Sequence, residues 1–217
     1  QNRLVLATSI MAGTIVSCSA KLAIAAKSPQ SGTISDGSVG GHIGAELKYA
    51  GYDAVSISGK AERLSYLYID PDRVEIRSAE DLQGLGAFAT EAKIKEKLAD
   101  SQAKVLSIGP AGENLVPFAC ICSERYRQLG RGGLGAVMGS KNLKAIAVRG
   151  WLDVRVADIQ KCLVLAAEAH KRGGILASDY KTYEYGTPFL LDLVQGSGLL
   201  PTRNFQSGRF EGARNIN

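Results

Sequence analysis

Arg127-Gln128-Leu129-Gly130-Arg131-Gly132-Gly133-Leu134-Gly135-Ala136-Val137-Met138-Gly139-Ser140-Lys141, followed by the apolar run Leu143–Val148, is the stretch that decides how this chain reads. So many glycines argue against a long helix, because each costs about 1 kcal/mol relative to alanine in a helix interior. They suit a loop in which several backbone N–H groups converge on one anion, with a helix N-terminus adding favourable potential. Arg127 and Arg131 flank that loop and offer charge-assisted hydrogen bonds to phosphate. Leu134–Ser140 then reads as a short helix and Leu143–Val148 as a buried strand.

Two further glycine clusters lie upstream: Ser35-Asp36-Gly37-Ser38-Val39-Gly40-Gly41-His42-Ile43-Gly44 and Ile108-Gly109-Pro110-Ala111-Gly112-Glu113-Asn114. Glycine/arginine loops on either side of the domain's sequence have the makings of a site for two phosphates. Simple turns between strands are the competing explanation. The commoner nucleotide motifs do not fit. Gly133 to Lys141 lacks the Walker spacing, and no G-x-G-x-x-G follows a strand and opens a helix with an acidic residue downstream.

From Leu4 to Val148 the pattern is one of short strands between glycine-rich turns. Strands are expected at Leu4–Thr8, Leu22–Ala26, Asp53–Ser58, Lys104–Ile108 and Leu143–Val148. Tyr66–Ile69 and Val74–Ile76 flank Asp70-Pro71-Asp72-Arg73, whose proline and aspartates favour a hairpin turn. Ala87–Leu98 has the period of an amphipathic helix. After Trp151 the texture turns helical: Asp158–Lys171, stopped by Gly173-Gly174, then Pro188–Gln195. No internal repeat or low-complexity segment is visible. The fold class is α+β over residues 1–152, with residues 153–217 beginning an all-α domain.

The 217 residues carry a net charge of +5, with 45% hydrophobic and 22% charged residues. These values are ordinary for a globular protein. The basic residues are dispersed and no aromatic stacking pattern accompanies them, which disfavours nucleic acid. The four cysteines form no C-x-x-C pair. Cys120 and Cys122 alternate with apolar residues and share one face of a strand, packed in the core or lining a surface. Only two histidines are present, His42 and His170, so a self-contained metal site is not expected. No apolar run reaches membrane-spanning length and no signal peptide is visible, so the cytoplasm is the default compartment. The abrupt start at Gln1-Asn2-Arg3 and the polar end at Asn217 suggest a piece of a longer protein.

Four runs carry a resemblance. Gly40 to Ala54, Ser107 to Val116, Gly130 to Val148 and Leu200 to Gln206 resemble, in order, the aldehyde ferredoxin oxidoreductase family. The resemblance implies two β-sheets related by a pseudo-twofold, forming a base for a tungsten or molybdenum bis-molybdopterin cofactor. It also implies Mg²⁺ bridging the pterin phosphates, held in part by the main-chain carbonyls of Ser38 and Gln128. Lys21, Gly40 and Arg127 fall where the family contacts the pterins and their phosphates, and the adjoining Val39, Gly41, Leu129, Gly130 and Arg131 complete the implied cofactor-binding set. The implied activity is oxidation of a small aldehyde to a carboxylic acid, with ferredoxin or an electron-transfer subunit as acceptor. The catalytic residues and the cysteines of a [4Fe–4S] cluster would lie beyond Asn217. The large apolar face such a piece would leave uncovered implies self-association into a homo-oligomer.

The chain departs from the family pattern at several places. It has Lys21 for arginine, Ser38 for asparagine, Gln128 for alanine, and Ser9-Ile10-Met11-Ala12-Gly13 for Gly-Pro-Leu-Thr-Gly. Lysine lacks arginine's bidentate fork, whereas main-chain ligation tolerates a change of side chain. These departures keep open an alternative, a non-catalytic cofactor cradle or assembly module whose catalytic half lies elsewhere. Plainer roles are expected for several residues. His42 packs or hydrogen-bonds rather than binding metal, His170 is solvated, and Glu46 and Lys48 are structural. Glu113 and Asn114 cap or brace a loop at least as readily as they contact a ligand, Cys162 is core, and Tyr183, Tyr185 and Arg203 are within reach of a substrate funnel but are expected to pack.

Overall fold

A computed structural model describes residues 2–180 and 185–216, the side chains of 173–180 excepted. It divides into two compact units, Gln1–Ala157 and Asp158–Asn217. Two sheets build the first unit. The smaller takes β1 (Leu4–Thr8), β2 (Leu22–Lys27), β3 (Ile34–Val39) and β4 (Ala54–Ile57) in the order β3-β2-β1-β4. The larger takes β5 (Ser65–Ile69), β6 (Val74–Ser78), β7 (Lys104–Ser107), β8 (Ile121–Ser123), β9 (Arg127–Leu129) and β10 (Leu143–Val148) in the order β6-β5-β10-β7-β8-β9. All pairings are antiparallel except β5 with β10.

The strand sequences follow from where each face lies. In β1, Leu4 and Leu6 are buried and Val5 is exposed, the alternation of a sheet with one covered face. Every residue of β5 and β10 is buried, because the larger sheet is covered on both sides. One side shares a core with the smaller sheet, where Leu6, Ile24, Val39, Leu106, Leu129 and Ile146 meet around the helices α1 (Ile43–Tyr49) and α4 (Leu134–Ser140). The other packs Tyr66, Val105 and Ala147 against Leu82 and Ile94, the latter from α2 (Ala87–Leu98). Each fully buried leucine or isoleucine in these layers contributes about 1.5–3 kcal/mol. The 70–73 turn joins β5 to β6 as expected, with Asp70 N donating to Arg73 O at 3.0 Å.

The sequence shows no repeat, but the structure contains one. β1-β2-β3-α1-β4 and β7-β8-β9-α4-β10 have the same antiparallel pairing and the same lateral order, β3-β2-β1-β4 against β9-β8-β7-β10, and the same order of elements apart from a one-turn helix at Pro110–Glu113 between β7 and β8. Both helices have seven residues. A Cβ on Gly44 of α1 would lie 2.5 Å from Ala20 O, and one on Gly135 of α4 would lie 2.4 Å from Cys120 O. Each helix therefore rests a glycine on the chain just before the second strand of its half. This is the two-sheet pseudo-symmetry that the resemblance implied.

Other differences are local. Ser35–Val39 is the body of a strand rather than a glycine loop, and Pro110–Glu113 forms a one-turn helix, α3. In the second unit the helix α5 runs Ile159–Tyr180 and is not stopped at Gly173-Gly174, since glycine lowers helix stability without removing a hydrogen bond. Thr187–Leu190 is a 3₁₀ turn leading into α6 (Leu191–Gly196), in place of one continuous helix. Cys162 on α5 is half-buried rather than core, and the neighbouring Leu163, Val164 and Leu165 are exposed. No helix among the described residues is long and apolar enough to cross a membrane.

Candidate functional site

β3 and β9 are the outermost strands of their sheets, and they lie against each other. This brings the first and third glycine clusters together across about ninety residues of sequence. A Cβ on Gly37 would fall 2.8 Å from Leu129 Cδ1, and one on Gly40 would fall 3.3 Å from Arg127 Nη1. At Gly41, with φ +96°, the nearest atoms to such a carbon would be Glu124 Oε2 at 2.5 Å and Arg127 Cδ at 2.8 Å. At Gly132, with φ +97°, the nearest would be Ser35 Oγ at 2.1 Å. Each cluster thus needs glycine so that a side chain of the other can lie on its backbone.

Most of the implied contact residues lie on this seam. Ser38 faces Ala23 in the β2–β3 ladder, and Gln128 faces Cys122 in the β8–β9 ladder. In the repeat these are equivalent positions, each one residue before the strand's buried end at Val39 or Leu129. Lys21 immediately precedes the Leu22↔Val39 pair, so the ladder places it beside Gly40. The side chains of Lys21, Ser38, Arg127, Gln128 and Arg131 are exposed, as is Gly130. Val39 and Leu129 point into the core and offer a ligand only their main chains. Neither Lys21 nor Arg131 has an ion-pair partner among the described residues. Beside the seam an open groove of about 670 Å³ is lined by Ser28, Ser31, Ser35, Cys120 and Arg131, with Gly130 and Gly132 between them.

The second glycine cluster does not join this seam. Its Glu113 accepts from Gly84 N at 2.9 Å and pairs with Lys144, which is fully buried and also donates to Leu85 O at 2.7 Å. Glu113 is thus the brace that the sequence suggested, with a buried cation in addition. Glu46 is structural in the same way, accepting from Arg149 Nη1 and Gly150 N, both at 2.9 Å.

Two features escaped the sequence. Glu124, in the β8–β9 turn, accepts a hydrogen bond from His42 N at 2.6 Å and meets His42 Nδ1 at 3.1 Å. The first loop is therefore not an open ring of N–H donors, because one of them is already held by a carboxylate. His42 itself is 72% exposed, a hydrogen-bonding residue rather than a packed one. No sequence signal links residues 82 positions apart. The other feature is Gln128, whose Oε1 accepts from both Cys120 Sγ at 3.2 Å and Cys122 Sγ at 2.8 Å. The alternation of the two cysteines did place them on one face, and that face lines the site. Burial pushes the Cys122 thiol above its ordinary range, with the Gln128 hydrogen bond opposing and Cys120 adding to the shift.

In the second unit Arg203 pairs with Glu211 at 2.5 Å, Tyr185 is exposed, and Tyr183 lies outside the described residues. His170 is exposed, as expected. Among the described residues no cluster of three or more histidine, cysteine or acidic side chains is placed to hold a metal. A cation at the seam would have to draw on main-chain oxygens, which the outer edges of β3 and β9 present without a ladder partner.

Comparison with known proteins identifies the family of this fold. The family described as "Aldehyde ferredoxin oxidoreductase, N-terminal domain" matches residues 1–150. The tungsten-containing aldehyde ferredoxin oxidoreductase of Pyrococcus furiosus is 44% identical over 209 residues, covering 96% of this chain and 34% of that protein. The Thermococcus kodakarensis protein of the same name is 44% identical over 214 residues, covering 98% and 35%. The WOR-like subunit of an aliphatic sulfonate oxidoreductase, also from P. furiosus, is 40% identical over 164 residues, 70% of this chain and 26% of its own. Among solved structures, the active-site complex BamBC of benzoyl coenzyme A reductase superposes with a TM-score of 0.75 at 37% identity, over 91% of this chain and 27% of its own. The chain spans about a third of the length of its aldehyde ferredoxin oxidoreductase relatives. This chain belongs to the aldehyde ferredoxin oxidoreductase family, of which it carries the N-terminal domain.

Proposed function

We propose that residues 1–152 form the base of a metallopterin site and that residues 153–217 begin a helical second domain. The whole protein would oxidise small aldehydes to carboxylic acids. The observation that carries this reading is the seam itself, where two glycine loops and the exposed cations Lys21, Arg127 and Arg131 meet along the adjacent edges of β3 and β9. That arrangement fits a large ligand with two phosphates better than it fits a mononucleotide, because the two halves of the repeat offer equivalent edges. Gly130, whose added Cβ would meet nothing within 4 Å, leaves its backbone open to such a ligand.

On this reading Lys21, Arg127 and Arg131 bind phosphate oxygens, Arg127 through its guanidinium fork and Lys21 as a point charge. The main-chain carbonyls of Ser38 and Gln128 would hold Mg²⁺, with Val39, Gly40, Gly41, Leu129 and Gly130 as the flanking backbone. The bound tungsten or molybdenum bis-molybdopterin supplies the two-electron chemistry that turns an aldehyde and water into a carboxylic acid. Electron transfer to ferredoxin, or to an electron-transfer subunit, would use a [4Fe–4S] cluster whose cysteines lie outside this chain. We place the protein in the cytoplasm and read the exposed apolar surface, including Ile10, Ile34, Ile76 and Phe118, as covered by the rest of the protein or by a second copy.

The test is metal and pterin analysis of the full-length protein purified anaerobically from a host that supplies both. One tungsten or molybdenum and two pterins per chain support the reading. A folded protein with neither overturns it and leaves a repurposed scaffold.

A further inference from the structure

The β8–β9 turn is built at a conformational cost. Glu124 and Arg125 are consecutive non-glycine residues with left-handed backbones, φ +47° and +65°. Such strain persists where surrounding contacts hold it, and here they come from two directions. On one side α2 anchors the turn: Arg125 N donates to Glu91 Oε2 at 3.2 Å, and the rings of Tyr126 and Phe88 meet edge to face at 5.8 Å. On the other side Glu124 reaches into the first glycine loop.

That reach is specific. Arg125, Tyr126 and Arg127 are exposed, yet the Glu124 side chain is only 16% exposed. Oε1 takes His42 N, one of the N–H groups left over at the start of α1, where no side chain from the helix's own sequence caps it. Oε2 meets His42 Nδ1 and stands 3.8 Å from Arg127 Nε. The carboxylate fills the space that a Cβ on Gly41 would occupy. One side chain thus touches the first glycine cluster at Gly41 and His42 and the third at Arg127, the cation whose guanidinium lies over Gly40.

We infer that Glu124 is a positioning residue that locks the two glycine loops in register and presents Arg127 to the ligand. The inference rests on the cradle reading above. A carboxylate repels phosphate and so does not bind it; its work is done in advance, by holding Arg127 and the loop in one geometry so that less freedom is lost on binding. Charge matters as well as shape, because the carboxylate keeps the Arg127 guanidinium from the many orientations open to an exposed arginine.

The experiment uses the full-length protein, purified anaerobically with its cofactor, carrying Glu124→Gln, Glu124→Ala, Arg127→Gln, or Glu124→Gln with Arg127→Gln. Glu80→Gln, in an exposed pair with Arg63, is the control. Pterin release is followed by fluorescence after dilution, and the melting of apo-protein made without tungsten or molybdenum is measured in parallel. The expected result is release at least tenfold faster for Glu124→Ala and intermediate for Glu124→Gln. The effect of Glu124→Gln should largely vanish in the Arg127→Gln background, while apo melting of Glu124→Gln, whose amide oxygen still accepts from His42 N, stays with the control. A purely structural brace would lower apo melting of Glu124→Gln as well and add to Arg127→Gln independently; that pattern, or release from Glu124→Ala at the wild-type rate, overturns the inference. A wild-type protein without metal or pterin overturns the cradle reading itself, so the two failures are told apart.

Discussion

Replacing Gly41 by alanine should be far more damaging than replacing Gly32 or Gly40, and the structure says by how much. Gly32 and Gly41 both have positive φ, +72° and +96°, so alanine meets backbone strain of about 1–2 kcal/mol at either. At Gly32 nothing lies within 4 Å of the new carbon, and the cost stops there. At Gly41 the carbon would lie 2.5 Å from Glu124 Oε2 and 2.8 Å from Arg127 Cδ, so the carboxylate must leave. That forfeits its hydrogen bond from His42 N, a charge-assisted bond worth about 1.5–3 kcal/mol. The sum is about 2.5–5 kcal/mol at Gly41, while Gly40→Ala, with ordinary φ and only the mobile Arg127 Nη1 at 3.3 Å, costs below about 1 kcal/mol. Urea unfolding of the apo full-length protein, with pterin content of the holo-protein alongside, reads both consequences. If Gly41→Ala unfolds with Gly32→Ala and keeps its pterin, the two loops are not in contact and the seam is not the site.

Two further predictions concern the frame that holds the seam. Glu113→Ala leaves Lys144 buried with its charge unbalanced and should cost about 3–5 kcal/mol, whereas Glu113→Leu with Lys144→Met should cost much less than the sum of its single changes; additive costs in urea unfolding would refute a coupled buried pair. Burial favours the neutral form of the Asp70 carboxyl, but hydrogen bonds from Asp72 N, Tyr68, Arg73 Nε and Arg73 N outweigh it and hold the group below its ordinary 3.8. A depressed folded value stabilises the fold above the ordinary range and is lost as pH falls through the folded value. Asp70→Asn should therefore flatten the acid limb of a melting-temperature profile below about pH 4, and an unchanged limb would remove Asp70 from the account.

The parts of this fold that could be read from sequence are those where burial leaves a periodic trace. β1 alternates, β10 is apolar throughout, and the Asp70-Pro71-Asp72-Arg73 turn announces the β5–β6 hairpin. β3 and α1 left no such trace. Ser35-Asp36-Gly37-Ser38 has no β-branched or aromatic residue, because its glycine yields to Leu129 from the other sheet. α1 and α4 are seven-residue helices whose glycines look like turn formers, yet Gly44 and Gly135 are there so that helix can touch backbone. The repeat survives in sequence only as Gly41-x-Ile43-Gly44-Ala45 against Gly132-x-Leu134-Gly135-Ala136, too little to stand out in a chain with 25 glycines. Glu124 could not be found at all, since it meets the first glycine loop through a contact that only the approach of β3 to β9 creates.

The repeat also bears on the departures from the family pattern. If two equivalent main-chain carbonyls do the work at Ser38 and Gln128, their side chains are free to vary, and serine for asparagine costs the site little. Glutamine for alanine is the harder case, because a long amide at an exposed edge competes with a ligand for the same space. Here that amide is engaged: its oxygen takes both Cys122, which the β8–β9 ladder sets across from it, and Cys120, which immediately precedes β8. The glutamine and the thiol pair therefore make sense together, as a change of side chain and the partners that hold it aside. Removing those partners should release it. With Cys120→Ala and Cys122→Ala combined, Gln128 would regain its rotamers over the cradle, at an ordering cost on binding of about 0.5–1.5 kcal/mol for such a side chain. The corresponding few-fold faster pterin release should be abolished by adding Gln128→Ala. If the triple variant still releases pterin as fast as the double, Gln128 does not reach the cradle and its pairing with the thiols has no bearing on the ligand.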